Sequence, residues 1–185
     1  MNTVITSKEA ILTASRKIAI EKGLYSINMR EVAKVCGVAL GSVYNYFPSK
    51  ADLVTATTED IWKSIFGMND HCESHGSFVD CVQWLFNSVY DGTSEYPRFF
   101  TVHSLGLTNA EKTKGRIVMN KYFEHMKDGL LVALQNDANI KERTFDDRFT
   151  QEAFVDFVFS SLIALLLKGE DSCCIIIEMI RRSIY

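Results

Sequence analysis

His71, Cys72 and His75 fall within five residues, two imidazoles four apart with a thiol between them, a set that could hold a soft metal ion. Three donors in a polar stretch do not close a site, so a solvated linker is the simpler reading and no metal is expected. Cys173 and Cys174 are adjacent near the C-terminus, where small hydrophobes on a buried helix account for them better than a redox pair. The cysteines at 36, 72, 81, 173 and 174 form no CxxC pair, and reduced thiols are expected. A phosphate-cradling glycine loop, an HExxH pair and a nucleophile elbow are all lacking, and no Ser/His/Asp set has spacing that predicts convergence. Neither an enzyme nor a cofactor is expected, and the informative residues must be sought in binding.

Hydrophobic residues make up 47% of the 185 and charged residues 23%, a balance that folds. Two prolines and 10 glycines leave room for long helices rather than for many short strands. The N-terminus lacks a cationic stretch followed by an apolar run, so a cytoplasmic location is expected. The most apolar stretch, Phe154 to Leu167, is broken by Asp156, Ser160 and Ser161 and falls short of the ~20 residues of a membrane span. The net charge of −3 is unevenly distributed: residues 1–55 hold seven Lys and Arg against four acids, a local +3, and the remainder carries −6. A basic third on an acidic chain points to a partner with phosphates at that end.

The apolar spacing predicts an all-α fold. Ser7 to Lys22 shows Ile11, Leu12, Ala14, Ile18 and Ala19 at helical intervals, with Gly23 as the stop. Asn28 with Glu31 three residues on resembles a capping box, opening a short helix with Val32, Ala33 and Val35 on its inner side and Gly37 at its end. Leu40 to Phe47 makes a third helix that Pro48 closes, and Ser49 with Asp52 caps a fourth running towards Phe66. Residues 68–76 read as a loop. Helices are then predicted from Ser77 to Tyr90, Tyr96 to Leu107, Ala110 to about Ala138, Thr150 to Leu167 and Ser172 to Ile184.

Two short helices about a glycine turn, from Ile27 to Lys50, form a helix-turn-helix whose second helix can enter a major groove about 12 Å wide. Small Ala33 lets the helices approach, and Val38 and Val43 are placed to bury between them. The run from Val32-Ala33 through Gly37-Val38 to Gly41-Ser42-Val43-Tyr44-Asn45-Tyr46-Phe47-Pro48-Ser49-Lys50, followed by Asp52-Leu53, resembles the N-terminal domain of the tetracycline-repressor (TetR) regulators. The resemblance covers about residues 7–54. It implies a three-helix DNA-binding domain over 1–54 and a larger helical effector-binding and dimerisation domain over 55–185. It also implies that Tyr44 and Lys50 clamp backbone phosphates, that Gly41 allows close approach, and that Ser42 and Asn45 lie at the groove. A lysine at a helix start and a tyrosine hydroxyl can each donate to phosphate, which supports those roles. Arg30 is a further phosphate candidate, Asn28 offers a polar contact, Tyr46 touches backbone or base, and Phe47 packs in the core. Where many relatives have a serine and a lysine after the turn, this chain has Ala39 and Leu40. A capping oxygen and a cation are lost, Leu40 can meet a thymine methyl, and a shallower salt dependence is expected.

Palindromic operators pair half-sites about 34–36 Å apart, so double-stranded operator DNA calls for a homodimer. Phe154, Phe157, Val158, Leu162, Leu165 and Leu166 make one late helix apolar nearly all round, and Ile175, Ile176, Met179 and Ile180 stripe the last. Phe157, Leu162, Leu165, Ile176, Met179 and Ile180 are the candidate dimer residues, in the two-fold four-helix bundle that the resemblance implies. Aromatics in the middle helices are mostly core, but Trp84, Phe100, His103, Tyr122 and His125 are candidates for binding a small-molecule effector of unknown identity. Repression, relieved by the effector, is the family default; the competing reading is a TetR-like adaptor that binds a protein partner in place of DNA.

Overall fold

The computed structural model describes residues 6–66, 76–96 and 110–185, and among them every regular element is a helix. In chain order these are α1 Lys8–Lys22, α2 Met29–Cys36, α3 Leu40–Tyr46, α4 Lys50–Phe66, α5 Phe78–Glu95, α6 Ala110–Asn136, α7 Gln151–Lys168 and α8 Cys174–Ile184, with a 3-10 turn at Leu24–Ser26. The all-α expectation holds, and most helix ends fall within two residues of those predicted. The α5 helix runs five residues beyond Tyr90 to Glu95. Most of the helix expected from Tyr96 to Leu107, and the His71-Cys72-His75 set, lie outside the described residues. No described helix is long and apolar enough to cross a membrane.

The chain divides into two compact units, residues 1–64 with 93–120 and residues 65–92 with 121–185. In the first, Ser7 caps α1 by accepting from the Ala10 amide at 3.1 Å, and Ile11, Ala14, Ile18 and Ala19 bury one face of that helix. A hydrogen bond of 2.8 Å between the buried Thr57 and Ser15 hydroxyls ties α4 to α1. The α2 helix buries Met29, Val32 and Ala33, but Val35, expected on the same side, is 50% exposed. At about 100° per residue, Val35 lies beyond the arc that Met29, Val32 and Ala33 share. The capping box at α2 is half formed: Asn28 accepts from the Arg30 amide at 2.9 Å, whereas Glu31 accepts from the Lys22 ammonium at 2.5 Å.

In the second unit α5 and α7 meet through Phe78 and Phe154, with ring centroids 5.9 Å apart, and α6 meets α7 through Phe123 and Phe159 at 5.3 Å. Lys127 on α6 bridges Glu124 at 2.7 Å and Asp156 on α7 at 3.0 Å. Gly92 on α5 faces Ile65 at the end of α4 so closely that a Cβ there would stand 2.8 Å from the isoleucine Cγ1. Cys36, Cys173 and Cys174 are free thiols, but Cys81, fully buried on α5, is disulfide-bonded. The expectation of reduced thiols therefore fails at that residue, because pairing follows proximity in the fold and cannot be read from a count of cysteines.

Asp137, just past α6, gathers the second unit. Its carboxylate accepts from the Phe78 amide at the start of α5 at 2.9 Å, from the Asn139 amide at 2.9 Å and from the hydroxyl of Tyr185 at the end of the chain. The Lys141 amide adds a bond of 2.9 Å to the Ile184 carbonyl. Burial by itself pushes the Asp137 carboxyl up, but the donated hydrogen bonds of Tyr185, Phe78 and Asn139 outweigh it and hold the group below the usual carboxylate range. Burial and the neighbouring carboxylate push the Tyr185 hydroxyl up. A depressed folded value means that the ionised form stabilises the fold fully above about pH 4, and that this contribution is lost as pH falls through the folded value. Asp137→Asn should therefore lower the unfolding free energy at neutral pH by about 1–3 kcal/mol. Urea titrations of the two proteins should converge as the medium is acidified below about pH 4.

Candidate nucleic-acid interface

The helix-turn-helix is built by local rules. Gly37 ends α2 at φ 67° and ψ 28°, a left-handed conformation that disfavours side chains, and its amide bonds to the Ala33 and Lys34 carbonyls. Val38 returns its amide to the Ala33 carbonyl at 3.0 Å, completing the turn into α3. Val43 is fully buried, as the spacing predicts, while Val38 is only half-buried. Phe47, which follows α3, is buried at 3% exposure and anchors its end as expected. Ser49 then opens α4, accepting from the Asp52 amide at 3.2 Å and donating to the Asp52 carboxylate at 2.7 Å.

Within α3 the only buried residue is Val43. Gly41, Tyr44, Asn45 and Tyr46 are exposed, as is Ala39 before them, and Leu40 and Ser42 are half-buried. Asn28 and Arg30 are exposed at the start of α2, and Lys50 is half-buried in the first turn of α4. The Ala39 cap makes no side-chain hydrogen bond, which is the lost oxygen noted in the sequence. A Cβ added to Gly41 would meet nothing within 4 Å, so the fold itself does not require glycine there. Absence of a side chain at an exposed, unstrained helical position leaves room for something outside the chain.

The two tyrosines of α3 differ. The Tyr44 ring is 46% exposed, and its hydroxyl has no hydrogen bond among the described residues. The Tyr46 hydroxyl donates to the Thr6 carbonyl at 2.7 Å, joining the end of α3 to the chain just before α1. Next to it, the Lys8 ammonium stands 5.9 Å from the centre of the Phe47 ring. Sequence reasoning missed Lys8 because nothing within four residues of it signals a partner near residue 47.

In the second unit the α7 and α8 helices leave an open groove of about 380 Å³, bounded by Phe154, Phe157, Val158, Ile176, Met179 and Ile180. Phe157 and Met179 are 56% and 53% exposed, and Leu165 is half-buried. Leu162, Ile176 and Ile180 are already buried within the chain. Of the effector candidates, Trp84 on α5 and Tyr122 on α6 are half-buried and His125 is exposed. None of those three borders the groove. Phe100 and His103 lie outside the described residues.

Residues 11–57 match the family model described as bacterial regulatory proteins, tetR family. The nucleoid occlusion factor SlmA of Actinobacillus pleuropneumoniae is 26% identical over 131 residues, which is 69% of this chain and 63% of that protein. The chain thus spans less than two thirds of that relative's length. Among solved structures, the transcriptional regulator FadR of Bacillus subtilis, in complex with stearoyl-CoA, has a TM-score of 0.65 at 18% identity, covering 97% of this chain and 100% of that one. A TetR-family regulator of Vibrio parahaemolyticus has a TM-score of 0.60 at 19% identity, covering 97% and 98%. These structures share the fold along nearly the whole chain, and the family model falls on the helix-turn-helix just described. Residues 11–57 thus form a domain similar to the N-terminal domain of bacterial regulatory proteins of the tetR family.

Proposed function

We propose that the chain is a repressor that binds a palindromic operator as a homodimer and is released by a small-molecule effector. The observation that carries the DNA-binding part is α3, a helix with a single buried residue on which Tyr44, Asn45 and Tyr46 are exposed and Gly41 borders open space. Residues 1–54 read the DNA and residues 55–185 sense and dimerise. Tyr44, Lys50 and Arg30 hold phosphates, while Ala39, Leu40, Ser42 and Asn45 lie against the groove with Asn28 at its margin. Phe157 and Met179, large apolar side chains left in water beside the α7–α8 groove, support pairing of those helices with a second copy. An effector that binds one conformation of the body better than the other shifts the population and so alters operator affinity.

A second reading rests on Leu40, which leaves the start of α3 without a cation for phosphate. In that reading the chain is an adaptor whose output is a protein partner.

Binding of the purified protein to fragmented genomic DNA tests the first reading. The wild type should enrich a palindrome, and Tyr44→Ala and Lys50→Ala should each abolish the enrichment. Enrichment indifferent to both changes would favour the adaptor. Gly41→Ala separates fold from function: thermal stability should hold or rise, since alanine exceeds glycine by about 1 kcal/mol in a helix. Operator affinity should nevertheless fall by roughly 1–3 kcal/mol, the range of one lost base contact. Phe157→Glu combined with Met179→Glu should convert a dimer to a monomer in sedimentation velocity, because an apolar interface does not accept an unpaired carboxylate.

A further inference from the structure

We propose that Lys8 is a phosphate-contacting cation of the DNA interface, and that Tyr46 is the positioning residue that keeps it beside the recognition helix. The proposal rests on the DNA-binding reading above. Lys8 is the first residue of α1 and is exposed, yet its ammonium lies 5.9 Å from the centre of the Phe47 ring, within the roughly 6 Å over which a ring face attracts a cation. Phe47 is buried at 3% exposure, so the ring is a fixed point directly after α3. The contact places a positive charge at the C-terminal end of the recognition helix, four residues before Lys50.

The ring holds the ammonium without neutralising it. Lys22 and Arg16, two of the other three cations on α1, face Glu31 at 2.5 Å and Asp60 at 3.5 Å, whereas Lys8, like Lys17, has no carboxylate within ion-pair distance among the described residues. Glu9, the acid next to it, has its carboxyl held below the usual range by its own backbone amide, by Ser7 and, least of these, by the charge of Lys8 itself. With no carboxylate in ion-pair contact among the described residues, the Lys8 ammonium remains available to an external anion. It stands beside the C-terminal end of α3, the helix whose first residue, Leu40, carries no cation.

Tyr46 explains how a residue so distant in the chain reaches this position. Its hydroxyl donates to the Thr6 carbonyl at 2.7 Å, two residues before Lys8, and so pins the entry to α1 against the end of α3. A hydroxyl committed to the protein's own backbone differs from that of Tyr44, which is presented outward two residues earlier. The tether and the ring contact together fasten the first turn of α1 to residues 46 and 47.

Phosphate contacts are independent of sequence, so random-sequence duplex DNA of about 30 base pairs is a sufficient probe. Binding is measured across a salt series for wild type, Lys8→Gln, Lys8→Arg, Tyr46→Phe and Lys50→Ala. One lost contact makes the slope of log affinity against log salt shallower by about 0.9 per bound protomer, so the loss of affinity between 50 and 200 mM salt shrinks about 3.5-fold. Lys8→Gln should show that change at unaltered melting temperature, Lys8→Arg should restore the wild-type slope, and Tyr46→Phe should shift it in the same direction as Lys8→Gln. A wild-type slope for Lys8→Gln, with a shallower one for Lys50→Ala, overturns the role of Lys8 and leaves the DNA reading standing. A wild-type slope for Tyr46→Phe alone overturns the positioning role. Wild-type protein that shows no salt-dependent binding overturns both the inference and the reading beneath it.

Discussion

A helix of seven residues has no stability of its own in water, because the cost of its first turn exceeds what so few hydrogen bonds return. The α3 helix exists only because Val43 is driven out of water against the preceding helices and Phe47 fixes the end of the segment. That burial is the constraint on which the rest of the interface depends. It orients α3 so that Gly41, Tyr44 and Asn45 face outward, and it leaves little freedom for the turn at Gly37, whose left-handed backbone sets the crossing of α2 and α3. The Tyr46 tether and the Lys8–Phe47 contact extend the same clamp to the start of α1.

The division of labour follows from how little of α3 is buried. A segment with one core residue can change its other side chains at small cost to the fold, which is what a surface reading different sequences requires. The α7 and α8 helices are arranged differently: Leu162, Ile176 and Ile180 are already inside the chain, so only the outer edge of the apolar stripe, Phe157 and Met179 with Leu165 partly shielded, remains for a partner. Much of an apolar pattern that looks like an interface in the sequence is the chain's own core.

Asp137 does for the second unit what Val43 does for α3, by a polar route. One carboxylate receives the amide that opens α5, the turn after α6 and the hydroxyl of Tyr185. Buried acceptors of this kind stabilise through the donors they satisfy: without the carboxylate, the Phe78 amide would be left buried with that partner gone.

The features legible in the sequence were those set by neighbours within about four residues. The Asn28 and Ser49 caps, the Gly23 and Gly37 stops and the burial of Val43 all follow from propensity, capping and helical period. So did the all-helical class and the likeness of the N-terminal domain to the tetR family, since the helix-turn-helix is one contiguous segment. Val35 shows the limit of even that reach, because this short helix is apolar over a wider arc than its neighbours cover. Contacts across long separations had no local signal: Tyr46 to Thr6 spans 40 residues, Phe78 to Asp137 spans 59 and Tyr185 to Asp137 spans 48. Sequence alone thus determined where the helices begin and end and which of them could read DNA. The packing of those helices decided which apolar residues stay in water and which distant polar groups meet, because burial and hydrogen-bond partners depend on positions in space that no short-range pattern encodes.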